Sequence, residues 1–334
     1  MTKDTVEITL DEVGGLCQSV FLSNGCDQAN ADALTKTIVS AERDGSVSHG
    51  LFRIPGYVAS LRSGKVNGRA SPVVRNKTPG IVSVHGDNGY APLALERGIP
   101  ALIESGKSVG IAVMAMTHSH HFAALWPEVE ALAEHGLVGF ACVSYKPSVA
   151  PFGAKSALFG TNPIAFAWPR PNKPPFVFDM ATASMAMGEV MIAKREGHSV
   201  PVGTGLDADG NESTDPAKIA QGVLLPFGGY KGSAIAAMVE LLAAGAIGER
   251  FSFEAQEADN NDGGPPRGGH FMFALSPEIL SDGDWQSHSE GFFERFESLE
   301  GARLPGTRRH RNRQSSAART VNLELLKKIR QLDC

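Results

Sequence analysis

The chain has 334 residues, 42% of them hydrophobic, and a formal net charge of −5. This length allows one large α/β domain or two or three smaller lobes, and the acidic balance argues against a general nucleic-acid binder. The N-terminus shows no apolar core of signal-peptide length, and the longest apolar window, residues 235–247, is short and contains Glu240. We therefore expect a cytoplasmic protein without a membrane partner.

The cysteines give no metal or disulfide framework. Cys17, Cys26, Cys142 and Cys334 form no Cys-x-x-Cys pair and no zinc spacing. The prediction is therefore four free thiols in a reducing compartment.

The first well-marked element is a helix over residues 27–43. Asp27 can cap its N-terminus, and Ala31, Leu34, Ile38 and Ala41 fall on one face. This helix delivers the chain to the turn that carries the most chemistry.

That turn places Ser48, His49 and Arg53 within six residues. An imidazole transfers protons near neutral pH, and a guanidinium binds a carboxylate through two parallel hydrogen bonds. A neighbouring serine orients the imidazole or shares its proton. Together the three groups favour a site that holds a small carboxylic acid and moves a proton at the adjacent centre. The alternative is ordinary turn chemistry, which the sequence Asp44-Gly-Ser46 also satisfies.

Strands and helices alternate in the next part of the chain. Strands are predicted at 81–84, 109–116 and 137–144, with helices at 92–107 and about 122–134. This order predicts an α/β fold in which helices flank a layered sheet.

Two further strands, 164–168 and 176–180, are joined by a proline-rich turn too short for a crossover helix, so an antiparallel hairpin is expected. The remaining predictions are helices at 183–196, 229–247, 287–299 and 323–332, a strand at 271–275, and loops at 197–216 and 254–270.

Three histidines, His118, His120 and His121, follow the predicted strand 109–116. One interpretation is a metal site whose further ligand comes from elsewhere in the fold, since no carboxylate lies nearby before Glu128. The other is a set of polar groups at a strand end, where α/β proteins bind ligands. We favour the second and predict no metal.

A glycine-rich segment, residues 228–232, opens the predicted helix 229–247. It does not match a P-loop. Exposed backbone N–H groups at the helix start, together with Lys231, would bind a phosphate group, and a plain glycine-rich helix start explains the same residues.

Five arginines occur between residues 303 and 313. Such runs are typical of RNA-binding tails, but this one is interrupted by Pro-Gly and belongs to an acidic chain. A loop that binds phosphate groups, including the additional phosphate of NADP, fits better. A solvated loop without a ligand is the alternative.

Six segments together resemble a known family, and they keep their order and spacing across nearly the whole chain. They are residues 43–57, 119–127, 158–166, 178–182, 224–232 and 303–309. The chain resembles the malate/L-lactate dehydrogenase-like family and, within it, the bacterial Δ1-piperideine-2-carboxylate/Δ1-pyrroline-2-carboxylate reductases. The resemblance implies a non-Rossmann NADP-binding α/β fold, with a layered mixed sheet, and a homodimer.

The resemblance also implies a role for each matched residue. His49 would donate the proton, with Ser48 and Glu189 in its relay, and Arg53, Thr161 and Met187 would contact the substrate. The cofactor would be bound by His121, Phe122, Ala123, Ala124, Leu125, Asp179, Met180, Ala181, Tyr230, Lys231, Arg303, Leu304, Pro305, Gly306, Thr307, Arg308 and Arg309.

Two positions depart from the reductase pattern. Glu189 stands where the reductases have an aspartate, and Met187 stands where they have a histidine. The longer carboxylate is expected to preserve the relay, whereas Met187 leaves the substrate preference open.

The predicted activity is the NADPH-dependent reduction of a cyclic ketimine carboxylate to L-pipecolate or L-proline, with NADPH preferred to NADH. A 2-hydroxyacid dehydrogenase of the malate or lactate type is the alternative, because Arg53 and His49 would serve a keto acid equally well. A nucleic-acid-binding protein that uses the arginine run is a third interpretation, which the acidic balance disfavours.

Three regions are expected along the chain. They are a helical segment, 1–75, with the catalytic turn; an NADP-binding core, 76–310; and a C-terminal helix, 311–334, that packs with the N-terminal segment.

Overall fold

The structure is a computed structural model that describes residues 4–315 and 318–333. Its strands and helices, in chain order, are β1 (Thr5–Ile8), α1 (Leu10–Ser23), α2 (Gln28–Arg43), α3 (Ile54–Arg62), β2 (Val73–Thr78), β3 (Ile81–Tyr90), α4 (Ala91–Val109), β4 (Ile111–His120), α5 (Trp126–Glu134), β5 (Val138–Val143), β6 (Ile164–Trp168), β7 (Phe176–Met180), α6 (Met187–Glu196), β8 (Gly205–Leu206), β9 (Glu212–Ser213), α7 (Pro216–Ile219), β10 (Val223–Leu224), α8 (Tyr230–Glu240), α9 (Ser252–Glu257), β11 (Gly268–Leu275), α10 (Pro277–Leu280), α11 (Trp285–Glu297), α12 (Thr307–Arg313), β12 (Arg319–Asn322) and α13 (Leu323–Arg330).

The central sheet has seven strands in the order β2-β3-β4-β11-β5-β6-β7. Only β3 and β4 run parallel, joined by the crossover helix α4, and every other neighbouring pair is antiparallel. The predicted α/β class with a layered mixed sheet is therefore confirmed. The predicted hairpin is also confirmed, since β6 and β7 pair antiparallel between their predicted bounds.

The two largest apolar cores hold most of the fold together. One lies between the sheet and helices α4 and α5, and includes Met114, Leu125 and Leu132. The other joins helices α1, α2 and α3 to α13 near the chain ends, around Phe21 and Ile329. The predicted region boundaries, 75/76 and 310/311, fall inside β2 and α12, and the division into three regions stays a prediction.

Helix α2 forms as predicted because its signals are local. The Asp27 carboxylate accepts the N–H of Asn30 at 2.9 Å, which caps the helix. Ala31, Leu34, Ile38 and Ala41 are all buried. The apolar face therefore lies in the core.

Two predicted boundaries near the histidines are wrong. Strand β4 extends to His120, so His118 and His120 lie inside the strand rather than after it. Helix α5 begins at Trp126 rather than 122, because the Asp179 carboxylate accepts the N–H groups of Leu125 and Trp126 and fixes the helix start there. Residues 122–125 are consequently non-helical.

The arginine run is not a loop along its whole length. Residues Thr307–Arg313 form helix α12. His310 and Arg313 both bind Glu130 on α5, which holds this short helix against the core. The prediction of a loop is therefore corrected to a short loop, 303–306, followed by a helix.

Other boundaries also differ. The N-terminal elements β1, α1, α3 and β2 had no counterpart in the sequence prediction. Helix α6 begins at Met187, since Ala183 is paired with Pro226 and the Ser184 N–H donates to Leu225. The short elements α7, β10, α10 and β12 also had no predicted counterpart. Further differences are β8 and β9 within the predicted loop 197–216, a π-helical turn over Leu241–Gly245 after α8, helical residues at the start of the predicted loop 254–270, and a β11 that begins at Gly268.

Three of the four cysteines lie in the described residues. Cys17, Cys26 and Cys142 are free and buried, as predicted, and burial raises the pKa of the Cys142 thiol to about 12. Cys334 lies outside the described residues. Over 4–315 and 318–333, no helix is long and apolar enough to cross a membrane.

Candidate active site

The turn after α2 is held in place by a buried carboxylate. Glu42 accepts the N–H of Leu51 at 2.7 Å, and burial raises its pKa. A Cβ at position 50 would collide with this carboxylate, so only Gly50 allows the close approach. The sequence analysis did not select Glu42, because nothing in the local pattern shows that its side chain turns inward.

Ser48 and His49 are brought together as predicted. Ser48 Oγ lies 3.0 Å from His49 Nδ1. Burial, together with the charges of Arg53 and His121, lowers the pKa of His49 to about 3. The imidazole is therefore neutral without a ligand. When the Ser48 hydroxyl donates to Nδ1, the ring hydrogen lies on Nε2.

Arg53 has no acidic partner in the described part of the chain. Its guanidinium makes no hydrogen bond or ion pair to any residue of 4–315 and 318–333, and its Nε atom is buried and unpaired. The guanidinium carbon lies 4.3 Å from the centre of the Phe122 ring. Burial lowers the pKa of Arg53, opposed by Tyr145 and Tyr57. An unpaired buried cation is costly, so this site is suited to an anionic ligand.

The first turn of α6 closes this pocket. A Cβ on Gly188 would lie 3.4 Å from the Ser48 Cβ and 3.5 Å from an Arg53 nitrogen. Met187 is half-buried at the same turn, whereas Glu189 is exposed and makes no hydrogen bond or ion pair within the described chain. Consecutive helical residues point about 100° apart, so Gly188 faces Ser48 while Glu189 does not. The relay through Glu189 stays a prediction.

The segment after β4 offers unused backbone donors. The N–H groups of Phe122, Ala123 and Ala124 donate to no acceptor among the described residues, although Phe122 and Ala124 are buried. Buried N–H groups are nearly always paired in proteins. The free donors therefore fit the predicted contact between this segment and a bound cofactor.

Asp179 serves the fold directly by capping α5. Burial raises its pKa to about 6, the two N–H groups of Leu125 and Trp126 and the charge of Arg309 act in the opposite direction, and the charge of Glu128 adds to the rise. The neighbouring Met180 is exposed and Ala181 is half-buried.

The other predicted segments converge at the end of β7. Thr182 donates through both its N–H and its hydroxyl to the carbonyl of Thr161, and Phe227 donates its N–H to Thr182. Two residues before Asp179, the carbonyl of Val177 accepts from Arg309 at 3.0 Å. Strand β7 thus joins residues far apart in sequence.

Helix α8 begins three residues after Phe227, which bonds to Thr182, and its first residues are exposed. Tyr230 and Lys231 are exposed, and neither backbone N–H donates to an acceptor in the described part of the chain. Gly229 has a φ of +65°, which allows the chain to enter the helix here. This helix start fits a phosphate group.

The arginines of residues 303–313 divide into two sets. Arg303 and Arg308 are exposed and have no partner among residues 4–315 and 318–333. Arg309 lies 5.2 Å from the Trp126 ring, and Arg313 pairs with Asp44. The residues between are packed against the fold: Leu304 is buried and its carbonyl accepts from Thr307, Gly306 lies against Val177, and Pro305 is half-buried.

The family model of malate/L-lactate dehydrogenase matches residues 8–330, so the chain belongs to this family of NAD(P)-dependent oxidoreductases. Its relatives include Δ1-pyrroline-2-carboxylate/Δ1-piperideine-2-carboxylate reductase of Pseudomonas putida, 44% identical over 314 residues, which cover 94% of this chain and 92% of the relative. Δ1-pyrroline-2-carboxylate reductase of Ancylobacter novellus is 41% identical over 316 residues, covering 94% and 93%. The crystal structure of Δ1-piperideine-2-carboxylate reductase from Pseudomonas syringae pv. tomato has a TM-score of 0.92 and 42% identity, covering 98% of this chain and 99% of that chain.

Proposed function

We propose that this chain reduces cyclic ketimine carboxylates, Δ1-pyrroline-2-carboxylate and Δ1-piperideine-2-carboxylate, to L-proline and L-pipecolate with NADPH. The observation that carries the proposal is the Arg53 guanidinium, which is half-buried, lacks an acidic partner in the described chain, and lies beside a neutral His49. Relatives at 41–44% identity over nearly the full chain bear the names of these reductases, which supports the choice of substrate.

The proposed mechanism assigns binding to Arg53 and proton transfer to His49. Arg53 holds the substrate carboxylate through a bidentate contact. The bound carboxylate offsets the charge of Arg53, which is one cause of the lowered pKa of His49, and so raises that pKa in favour of the protonated ring. A bound nicotinamide cofactor would supply the hydride for the imine carbon. His49 then delivers its proton to the imine nitrogen, so that C=N becomes CH–NH, while Ser48 holds the Nδ1 side of the ring.

The cofactor preference for NADPH rests on unpaired cations. Arg303, Arg308 and Lys231 are exposed and lack a described partner, and they lie in the segments predicted to bind the cofactor. A 2′-phosphate carries close to two negative charges and binds such cations, whereas NADH has none there. The proposal includes a homodimer and a cytoplasmic location, both of which rest on the resemblance to the reductases, and no nucleic-acid partner.

A keto acid is the second candidate substrate. Met187 precedes Gly188, the residue that lies against Arg53 and Ser48. A thioether is at most a weak hydrogen-bond acceptor, so this position gives a ring nitrogen little to bind. The family to which the chain belongs also includes dehydrogenases of malate and L-lactate.

The test is a substrate panel. NADPH and NADH oxidation would be measured with Δ1-pyrroline-2-carboxylate, Δ1-piperideine-2-carboxylate, pyruvate and oxaloacetate. We expect the highest kcat/KM for a cyclic imine with NADPH. A higher kcat/KM for pyruvate or oxaloacetate would overturn the proposal in favour of the second candidate.

A further inference from the structure

A buried cluster of two histidines and one glutamate lies behind the proposed active site. His121 follows β4, Glu128 lies in the first turn of α5, and His270 lies in β11. All three side chains are buried, and one ligand atom from each lies within 4.8 Å of those of the other two. Sequence analysis considered only His118, His120 and His121 together; the fold instead supplies His121 with partners from two other elements.

The hydrogen bonds of this cluster are incomplete. Glu128 Oε1 lies 2.8 Å from His121 Nε2, which satisfies a hydrogen bond. Glu128 Oε2 lies 2.9 Å from His270 Nε2, but this pair does not have hydrogen-bond geometry. Among residues 4–315 and 318–333, His270 Nδ1 has no hydrogen-bond partner and Nε2 has only this misaligned contact, although the side chain is fully buried. Each unpaired buried polar group costs about 1–3 kcal/mol, so a native site with several of them needs an explanation.

A shared metal ion accounts for these contacts. Bonds from an ion to imidazole nitrogen and to carboxylate oxygen are about 2.0–2.2 Å long, so two such ligands at a right angle lie about 2.9 Å apart. The lone pairs of two such ligands point at the ion, so the pair would not meet hydrogen-bond geometry, and the pair His270 Nε2 and Glu128 Oε2 does not meet it. His121 Nε2 lies 2.8 Å from the other oxygen, a separation that two ligands of one ion also have, and binding of the ion would replace the hydrogen bond between these two atoms.

We propose that His121, Glu128 and His270 bind one divalent transition-metal ion of the Zn²⁺ type. Two imidazoles and a carboxylate form a nitrogen and oxygen ligand set that suits such an ion, and a bidentate Glu128 would complete four-coordination. Because the ligands are buried, the site is structural. It joins the end of β4 to α5 and β11, and so fixes residues 122–124, whose N–H groups donate to no acceptor in the described chain. The metal proposal itself does not depend on the substrate.

The nearby charges favour a cation here. The ligand set carries a single negative charge, on Glu128, when both imidazoles are neutral. The half-buried Asp179 lies close enough for the charges of Glu128 and Arg309 to affect it. A divalent ion would therefore be bound near two carboxylates and not against isolated neutral groups.

The experiment compares metal content in matched variants of the full-length protein. After purification from Zn²⁺-containing medium and desalting, elemental analysis should find about one Zn²⁺ per wild-type chain. Glu128→Gln and His270→Gln, which remove a ligand with little change in volume, should each lower this content at least about tenfold. The control is the double variant His85→Gln/His118→Gln, because these two rings stack 4.2 Å apart on a half-exposed surface and would bind adventitious metal. Its Zn²⁺ content should equal that of the wild type.

If Glu128→Gln or His270→Gln fails to fold, a spectroscopic titration of the wild-type protein tests the proposal without these variants. Co²⁺ added to chelator-stripped wild-type protein should give the visible absorption of a four-coordinate site, Zn²⁺ should abolish it, and the Tm of the stripped protein should rise with added Zn²⁺. No Zn²⁺ in the purified protein and no Co²⁺ spectrum would overturn the proposal and leave a buried Glu–His cluster without metal. Zn²⁺ content that falls in the double variant and not in Glu128→Gln or His270→Gln would overturn it as well.

Discussion

Arg53 and Arg313 are two partly buried arginines with opposite surroundings. Arg313 lies between two buried carboxylates, 2.6 Å from Asp44 and 2.5 Å from Glu130. Arg53 has an aromatic ring against its face and no carboxylate partner in the described chain. Arg313 therefore has its counter-ions within the fold, whereas the guanidinium group of Arg53 is available to bind a ligand.

The two arginines are expected to affect the stability of the fold in opposite ways. A buried charge whose partner is missing destabilises a fold, and such groups persist in proteins mainly where function requires them. We therefore expect removal of Arg313 to damage the fold, and removal of Arg53 to damage activity while leaving the fold intact.

The largest effect is expected when the proton donor beside Arg53 is removed. His49→Ala should lower kcat by about 10²–10⁴-fold, because proton transfer from a positioned imidazole contributes that much. Steady-state kinetics at saturating substrate would measure it, and NADPH binding measured by fluorescence should stay near wild type. His118→Ala, in the half-exposed part of β4, is the control and should leave kcat within about twofold. An unchanged kcat in His49→Ala would contradict the assignment.

Loss of Arg313 should produce the next largest effect. Arg313→Met leaves Asp44 and Glu130 with fewer partners, and breaking a buried ion pair costs about 3–5 kcal/mol in the free energy of unfolding. Urea denaturation would measure it. The matched control is Arg311→Met on the same helix, which is exposed and should change the free energy of unfolding by at most about 0.5 kcal/mol. Equal effects of the two substitutions would show that the ion pairs do not stabilise α12.

The acid dependence of the Arg313 variant checks the same ion pairs. Hydrogen bonds from Arg313 help to lower the pKa values of Asp44 and Glu130, against the opposing effect of burial. A lowered folded-state pKa stabilises the protein above the unfolded pKa, near 4, and this contribution disappears as the pH falls through the folded-state pKa. The stability difference between wild type and Arg313→Met should therefore be largest near neutral pH and shrink below about pH 4. A difference that does not vary with pH would show that other contacts cause it.

Substitution of Arg53 should separate activity from stability. Arg53→Met removes two charge-assisted hydrogen bonds to the substrate, each worth about 1.5–3 kcal/mol, so kcat/KM should fall about 10²-fold or more. Arg53→Lys keeps the charge without the fork and should fall less. The free energy of unfolding of Arg53→Met should equal or exceed that of the wild type, because no described ion pair is lost. A destabilised variant with unchanged kcat/KM would mean that Arg53 is structural.

The features that the sequence predicted correctly are those that depend on contacts between residues close together in the chain. Helix α2 carries its own cap at Asp27 and its own apolar face, so its bounds were confirmed. Ser48, His49 and Arg53 are close in sequence, and a single turn keeps them close in space. Contacts of this kind can be predicted from sequence spacing, because helix and turn geometry fix the positions of residues a few places apart.

Distant contacts were the source of the errors. The start of α5 depends on Asp179, more than fifty residues further along the chain. The helix α12 depends on Glu130 and Asp44, and no local pattern shows that Arg313 has these partners while Arg308 has none among the described residues. Counter-ions of this kind are set by the tertiary fold. The sequence therefore showed that the arginines of residues 303–313 are clustered, but it could not show which of them are paired within the protein and which are free for a ligand.

The smallest expected effect comes from substituting an exposed arginine of residues 303–313, in comparison with a packed one. Arg308 is exposed without a described partner, whereas Arg309 contacts Trp126 and donates to Val177. Arg308→Ala should weaken NADPH binding by about tenfold and leave NADH binding unchanged, since one charge-assisted contact to the 2′-phosphate is lost.

Arg309→Ala, the matched substitution, should lower the Tm and weaken both cofactors to a similar extent, because its guanidinium is used within the protein. Fluorescence titrations of both variants with NADPH and NADH at two salt concentrations would measure this, and salt should weaken NADPH binding more than NADH binding in the wild type. If Arg308→Ala binds both cofactors as the wild type does, Arg303 or Lys231 becomes the expected phosphate partner, since both are exposed and also lack a partner in the described chain. If it weakens both cofactors equally, Arg308 stabilises the start of α12 and does not bind the 2′-phosphate.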